Sequence, residues 1–439
     1  MLQTIRNAWK IADLRKKLLF TFAILLLYRL GNVIPVPFVD TKTMSEWFAS
    51  SSLQNSVLGL FNMMSGSAFS KATLFALAIQ PYINASIIIQ LLTIAIPSLE
   101  RLSKEGGEEG RKKIEQITRY ATVGLGLLMG WAYWMMLKNF DNQYGNQILV
   151  ERNFVAALTV ILSLTGGACL VMWLGEQITE RGIGNGISMI LFANIVSRLP
   201  SMVLNLIVGD GETTGLVHDP AGYWYVALIA LVGMVALIMF IVFITNSERR
   251  IPVSYAKRVV GRKVYGGQNT FLPIKVNMSG VLPIIFAQSV ATLPATIATF
   301  ANNTDTWRYR NLWSNTSAFY LVMYLLLIIG FSYFYATIQY NPVEVSNNLR
   351  KNGGFIPGYR PGRPTSDFIA RVINKITLFG AIFLGIVAIL PILVGMINSK
   401  FASMAIGGTS VIIVVAVALE TVQAIEAQMM MRHYKGFLE

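Results

Sequence analysis

Residues Tyr223–Ile244 read YWYVALIALVGMVALIMFIVFI, an apolar run without a charge. A helix crossing a bilayer needs about 20 mostly apolar residues, because the hydrocarbon core is about 30 Å thick. A buried helix of a water-soluble protein would show a polar face every 3.6 residues, and this run shows none. Phe319–Tyr340 (FYLVMYLLLIIGFSYFYATIQY) repeats the pattern. Working outward, eight more runs appear: Leu18–Val36, Leu74–Ile96, Tyr120–Leu137, Phe154–Leu174, Gly184–Ile207, Val276–Phe300, Ile376–Met396 and Phe401–Val422. The composition agrees, with 54% hydrophobic and 13% charged residues in a chain of 439. Soluble domains carry about 25% charged residues, so disorder, coiled coil and collagen are excluded. One cysteine cannot make a disulfide framework, and two histidines leave little for a metal site.

Orientation follows from the loops. Assigning alternate loops to alternate sides places 27 Lys and Arg on one side and 7 on the other, with Arg29 and Arg198 inside spans. The positive-inside rule then puts both termini in the cytoplasm. The first run is not read as a cleavable signal peptide, since it is long, contains Arg29 and is followed by Pro35-Val-Pro37. The expected fold is an all-α polytopic membrane protein of ten transmembrane helices. It divides near residue 207 into halves 1–207 and 208–439 of five spans each. Five is odd, so the halves enter the bilayer from opposite sides, which predicts two inverted bundles facing a central crevice. Spans two and seven both carry a proline and a polar patch, Pro81-Tyr-Ile-Asn-Ala-Ser and Pro283-Ile-Ile-Phe-Ala-Gln-Ser.

Three polar segments are too long to be simple links. The outer segment 35–73 contains Val57-Leu-Gly-Leu-Phe-Asn-Met-Met64. This piece is too short to span; it reads as a re-entrant helix or as an amphipathic helix on the outer surface. The inner segment 245–275 shows alternation at Arg262–Tyr265 before Gly266-Gly267, which predicts a cytoplasmic hairpin. The inner segment 341–375 uses prolines and glycines to hold Arg360 and Arg363 outward. Basic loops also attract anionic lipid.

Catalytic chemistry has no visible carriers. His218 and His433 lie in loops, Glu105-Gly-Gly-Glu-Glu-Gly-Arg-Lys112 lacks Walker A spacing, and Gly182-Ile-Gly-Asn-Gly186 lacks the third glycine of a dinucleotide fingerprint. The intramembrane charges Arg29, Arg198, Glu420 and Glu426 make a poor proton relay. The chain is therefore not read as an enzyme, and no cofactor is expected. An inverted-repeat secondary transporter of small solutes is the alternative class.

Longer motifs narrow the reading. Phe61-Asn-Met-Met-Ser-Gly-Ser-Ala-Phe-Ser70, Pro81-Tyr-Ile-Asn-Ala-Ser-Ile-Ile-Ile-Gln-Leu-Leu92, Thr179-Glu-Arg-Gly-Ile-Gly-Asn-Gly-Ile-Ser188, Lys275-Val-Asn-Met-Ser-Gly-Val-Leu-Pro283, Phe355-Ile-Pro-Gly-Tyr-Arg-Pro-Gly362 and Gly407-Gly-Thr-Ser410 resemble the SecY family, the channel subunits of bacterial protein translocases. The resemblance implies a clamshell closed by a waist at Ile79, Ile83, Ile187, Leu191, Ile285 and Ile413. It implies a plug over about 57–69, including Phe61, Asn62, Met63, Met64, Ser65 and Gly66, with small residues that would let it move. It places Asn84, Ser289 and Leu293 at a lateral gate between spans two and seven. It makes Lys257, Arg258, Arg262, Lys263 and above all Arg360 a docking surface for the SecA ATPase or the ribosome. Partners resembling SecE and SecG, secretory and membrane-protein precursors as cargo, and a bacterial cytoplasmic-membrane location follow from the same resemblance.

Overall fold

The computed structural model describes residues 2–50, 57–104, 106–144, 148–198, 200, 204, 224–255, 258–260, 263–265, 269–278, 280–300, 317–397 and 408–435. Its helices are α1 (Leu2–Lys10), α2 (Ala12–Gly31), α3 (Thr41–Ser50), α4 (Val57–Met64), α5 (Gln80–Ala95), α6 (Pro97–Lys104), α7 (Gly107–Tyr144), α8 (Phe154–Arg181), α9 (Gly186–Val196), α10 (Trp224–Thr245), α11 (Leu282–Phe300), α12 (Ala318–Gln339), α13 (Pro342–Lys351), α14 (Arg363–Ile397) and α15 (Gly408–Lys435). The ten apolar runs fall on α2, α5, α7, α8, α9, α10, α11, α12, α14 and α15. Among the described residues, five helices are individually long and apolar enough to cross a membrane, or six when α5 and α6, bent by 104° at the break between them, are counted as one span. The bend falls at Pro97, which cannot continue a helix.

Several boundaries differ from the hydropathy reading. The second run begins at Leu74, but its helix starts only at Gln80, with Pro81 in the first turn. The preceding stretch is apolar yet irregular, with Ala72 and Ala78 at φ +45° and +47°. Its backbone is satisfied from elsewhere: Val36 N–H donates to the Ala72 carbonyl and Leu74 N–H to the Ile34 carbonyl. Such non-helical backbone survives at membrane depth only when enclosed by protein. The last helix is described over Gly408–Lys435 and so continues past Val422, the expected end of its run; residues 401–407 lie outside the described set. The short helix expected over about 57–69 stops at Met64, and 65–70 continues as turns.

The two long inner segments carry strands: β1 (Glu248–Tyr255), β2 (Arg258–Val260), β3 (Lys263–Tyr265), β4 (Asn269–Lys275) and β5 (Gly354–Phe355). The hairpin is present, with β1 antiparallel to β4 (Ile251 opposite Leu272) and β2 antiparallel to β3. Nothing in the sequence pattern foretold that β5, from the second inner segment, pairs with β1 at Ser254–Phe355 and Tyr255–Gly354. The two segments are thus one sheet of order β4-β1-β5. Its inner face (Ile251, Ile274) packs with Ile356 and with Ile369 and Ile373 of α14. Burial of these branched side chains fixes the sheet to the helical body.

Candidate functional site

One buried apolar cluster, part aliphatic and part aromatic, joins the two sequence halves. It contains Ile79 just before α5, Ile83 on α5, Leu191 on α9, Ile285 on α11 and Ile413 on α15, none more than 3% exposed, with Ile187 packed against it. Each residue is delivered by a local device. Asn185 caps α9 by accepting the Ile187 N–H at 3.0 Å, which sets Ile187 in the first turn and Leu191 one turn on. Pro283 stands in the first turn of α11, ahead of Ile285. Gly186, which opens α9, lies against α8 so closely that a Cβ there would stand 1.8 Å from the Gly175 carbonyl oxygen. Met64, at the end of α4, packs on the same cluster. The six residues expected at the waist therefore share this apolar cluster, five buried within it and Ile187 packed on it.

The segment 61–70 is gripped from four helices. Asn194 of α9, fully buried, donates from Nδ2 to the Met64 carbonyl at 2.7 Å and to the Tyr28 hydroxyl at 2.8 Å. Arg29 of α2 reaches the Ala193 carbonyl at 3.2 Å and the Gly66 carbonyl at 3.5 Å. Tyr133 of α7 donates to the Phe69 carbonyl at 2.9 Å, and Ser410 of α15 donates to the Met63 sulfur at 2.8 Å. The segment also binds itself: Asn62 accepts the Ser70 N–H at 3.0 Å, and the Ser65 hydroxyl donates to the Asn62 carbonyl at 3.1 Å. Gly66 has φ +65°, and a Cβ there would stand 2.9 Å from both Arg29 and Asn194. Gly66 is thus required for close packing in the seated segment. Phe61 is half-buried, stacked near Phe69 at 6.2 Å.

Between α5 and α11, Gln80 donates to the Ser289 hydroxyl at 3.2 Å, both residues buried. Asn84 is half-buried and Leu293 is exposed, so of the three expected seam residues only Ser289 makes this bond. A second polar link crosses nearby, from the Tyr335 hydroxyl of α12 to Gln90 of α5 at 2.5 Å. Gln80, Gln90 and Asn194 were missed as site residues. Their only sequence signal is an uncharged amide inside an apolar run.

On the sheet, Arg258 pairs with Tyr265 across β2 and β3, and Lys263 with Val260. Lys257 and Arg262 lie outside the described residues. Arg360 is exposed in the turn that follows β5, its carbonyl accepting from the Thr365 hydroxyl at 2.8 Å. That bond and Gly358 and Gly362, at φ +87° and +104°, shape the turn that presents Arg360.

A bundle of apolar helices that shares one buried cluster among α5, α9, α11 and α15, with Met64 of the short helix α4 packed on it, defines a polytopic membrane protein. The SecY family model matches residues 73–422, and the chain belongs to the SecY family. It is 43% identical over 445 residues to the protein translocase subunit SecY of Streptomyces galbus, and 42% identical over 454 residues to that of Corynebacterium glutamicum, each alignment covering 100% of both chains. Among solved structures it resembles one described as "The structure of a protein conducting channel", with TM-score 0.63, 17% identity and coverage of 94% and 91% of the two chains. A structure concerning the plug domain of SecY gives TM-score 0.61 at 16% identity, covering 94% and 91%.

Proposed function

We propose that this chain is a protein-conducting channel. It passes unfolded polypeptides across the bacterial cytoplasmic membrane and releases apolar segments sideways into lipid. The observation that carries the reading is the convergence of Ile79, Ile83, Leu191, Ile285 and Ile413 from four elements into one buried cluster, with Ile187 against it. Aliphatic side chains close around an extended chain by packing alone, so no cargo sequence is preferred. Empty, a narrow apolar constriction expels water and resists ions. In this reading residues 1–207 and 208–439 are the two leaves, 57–69 is the plug, and the α5–α11 seam is the lateral gate. An apolar segment at that seam partitions by hydrophobicity, each Leu or Ile favouring lipid by about 0.3–0.6 kcal/mol at mid-depth.

The channel is passive and not an enzyme; it takes its energy from partners. SecE and SecG would complete the complex, and SecA or the ribosome would dock on the cytoplasmic sheet and the Arg360 turn. Both termini lie in the cytoplasm, where the basic loops also meet anionic lipid. Reconstitution tests the whole reading. Vesicles holding the chain with its SecE and SecG partners should take up a secretory precursor only when SecA and ATP are added. Solute uptake driven by an ion gradient, with no precursor transport, would overturn it.

Docking has its own test. Arg360→Glu should cut SecA-driven transport about tenfold, the equivalent of about 1.4 kcal/mol of lost and reversed attraction. Insertion and assembly, followed by protease protection, should stay normal. Transport within twofold of the parent would refute the assignment.

A further inference from the structure

The sheet β4-β1-β5 has two faces, and the fold uses only one of them. Residues directly opposite each other in an antiparallel pair point to the same side, and successive residues of a strand point to opposite sides. β1 shows this alternation: Ile251 and Val253 are buried, whereas Arg250 and Pro252 are exposed. The register carries that outer face across the sheet. Pro252 stands opposite Phe271 of β4, Arg250 opposite Pro273, and Ser254 opposite Phe355 of β5. Phe271 is 61% exposed and Phe355 is 40% exposed, and both prolines are exposed as well. Two phenylalanines and two prolines, drawn from three strands and from both inner segments, thus form one outward apolar patch.

The patch stands clear of the hydrocarbon. The inner face of the sheet packs on Ile369 and Ile373, which lie in the part of α14 that precedes its apolar run at Ile376. Single apolar side chains are ordinary on a wet surface, but a contiguous patch with a polar rim marks a protein interface. The rim here is basic. Arg250, paired with Glu248 at 2.6 Å, lies on the face itself, and Arg249 and Arg360 are exposed on the flanking segments. Residues 245–275 and 341–375 together carry thirteen Lys and Arg against three Asp and Glu.

We infer that this face binds a partner protein whose contacting surface is acidic and bears apolar side chains, with Phe271 and Phe355 as the anchors. The inference rests on the proposed reading of the sheet as a docking surface and specifies the chemistry of what docks. The two kinds of group divide the work. The arginines attract and orient an acidic surface from a distance, an effect that salt weakens. The rings supply the contact that persists, because burial of apolar area does not depend on ionic screening. A folded RNA helix would present phosphates and 2′-hydroxyls to the arginines and leave the rings uncovered, so the patch favours protein.

The test measures binding of SecA, and separately of vacant ribosomes, to the full complex in nanodiscs of phosphatidylcholine, a lipid without net charge. Phe271→Ala and Phe355→Ala should each weaken SecA binding about tenfold, as for aromatic anchors of an interface. That deficit should persist when the salt is raised, whereas the deficit of Arg360→Glu should shrink. Phe271→Tyr and Phe355→Tyr keep the ring and should stay within about threefold of the parent. SecA affinity equal to the parent in both alanine variants would overturn the inference, and so would a deficit that salt abolishes. Equal loss in the alanine and tyrosine variants would also overturn it, marking a defect in the sheet itself. A loss confined to ribosomes would assign the face to RNA instead. If the parent binds neither probe, the docking reading fails first and this one with it.

Discussion

Replacing Ile83 and Ile413 together by asparagine should raise the resting ion conductance of the reconstituted channel about a hundredfold. Both side chains are buried, 3% and 2% exposed, on α5 and α15 within the same cluster. An amide placed in such a site without a partner costs about 1–3 kcal/mol in proteins. Two of them therefore remove about 2–6 kcal/mol from the dry, closed arrangement. Each 1.4 kcal/mol is a factor of ten in an equilibrium, so a hundredfold change falls well inside that range. The amides obtain their hydrogen bonds by admitting water, and a hydrated constriction no longer excludes ions by dewetting. The same pair should relax the demand for a strongly apolar signal segment, because less packing has to be broken to admit a chain. Conductance is measured in planar bilayers, with the Ile83→Leu, Ile413→Leu pair as control. That control keeps volume and apolarity and should remain tight, at a cost below about 1.5 kcal/mol for each swap. Unchanged conductance in the asparagine pair would remove both residues from the waist.

How far the sequence carries can be seen at particular residues. The spans are legible because hydrocarbon demands length and apolarity, both of which are written locally. The irregular stretch before Gln80 was not, because a left-handed Ala72 and Ala78 leave hydropathy unchanged. The distant carbonyls and N–H groups that satisfy that backbone are visible only in three dimensions. The waist is a harder case. An isoleucine facing a pore and one facing lipid look alike in a helix, so Ile83 and Ile413 were marked by family motifs and not by periodicity. Arg29 and Asn194 are polar groups inside apolar runs. Their partner, the backbone at 64–66, is far away in sequence and offers only carbonyl oxygens, which carry no side-chain signature. The union of β5 with β1 was hidden for the same reason: β5 is two residues long.

That grip on the backbone leads to the second large effect. Asn194→Leu, similar in size but unable to donate, should release the segment 61–70 and increase its exposure about thirtyfold. The amide holds two bonds at once, to the Met64 carbonyl and the Tyr28 hydroxyl. Removing the donor leaves a buried carbonyl unpaired, at about 1–3 kcal/mol, and weakens the hydroxyl's network besides. A loss of about 2 kcal/mol shifts a two-state equilibrium about thirtyfold. The remaining ties, from Tyr133, Ser410 and Arg29, keep the seated form in the majority, so folding and insertion should survive. The readout is the labelling rate of Ser67→Cys by a membrane-impermeant thiol reagent, after the free Cys169 is replaced by serine. Tyr28→Phe should give a smaller increase alone and add less than its full effect to Asn194→Leu, since residues in one hydrogen-bond network are not additive. If the segment were instead held by its apolar contacts alone, labelling would not change in Asn194→Leu. The polar grip would then be incidental to closure, and the burden of keeping the channel shut would fall on the six aliphatic side chains beneath it.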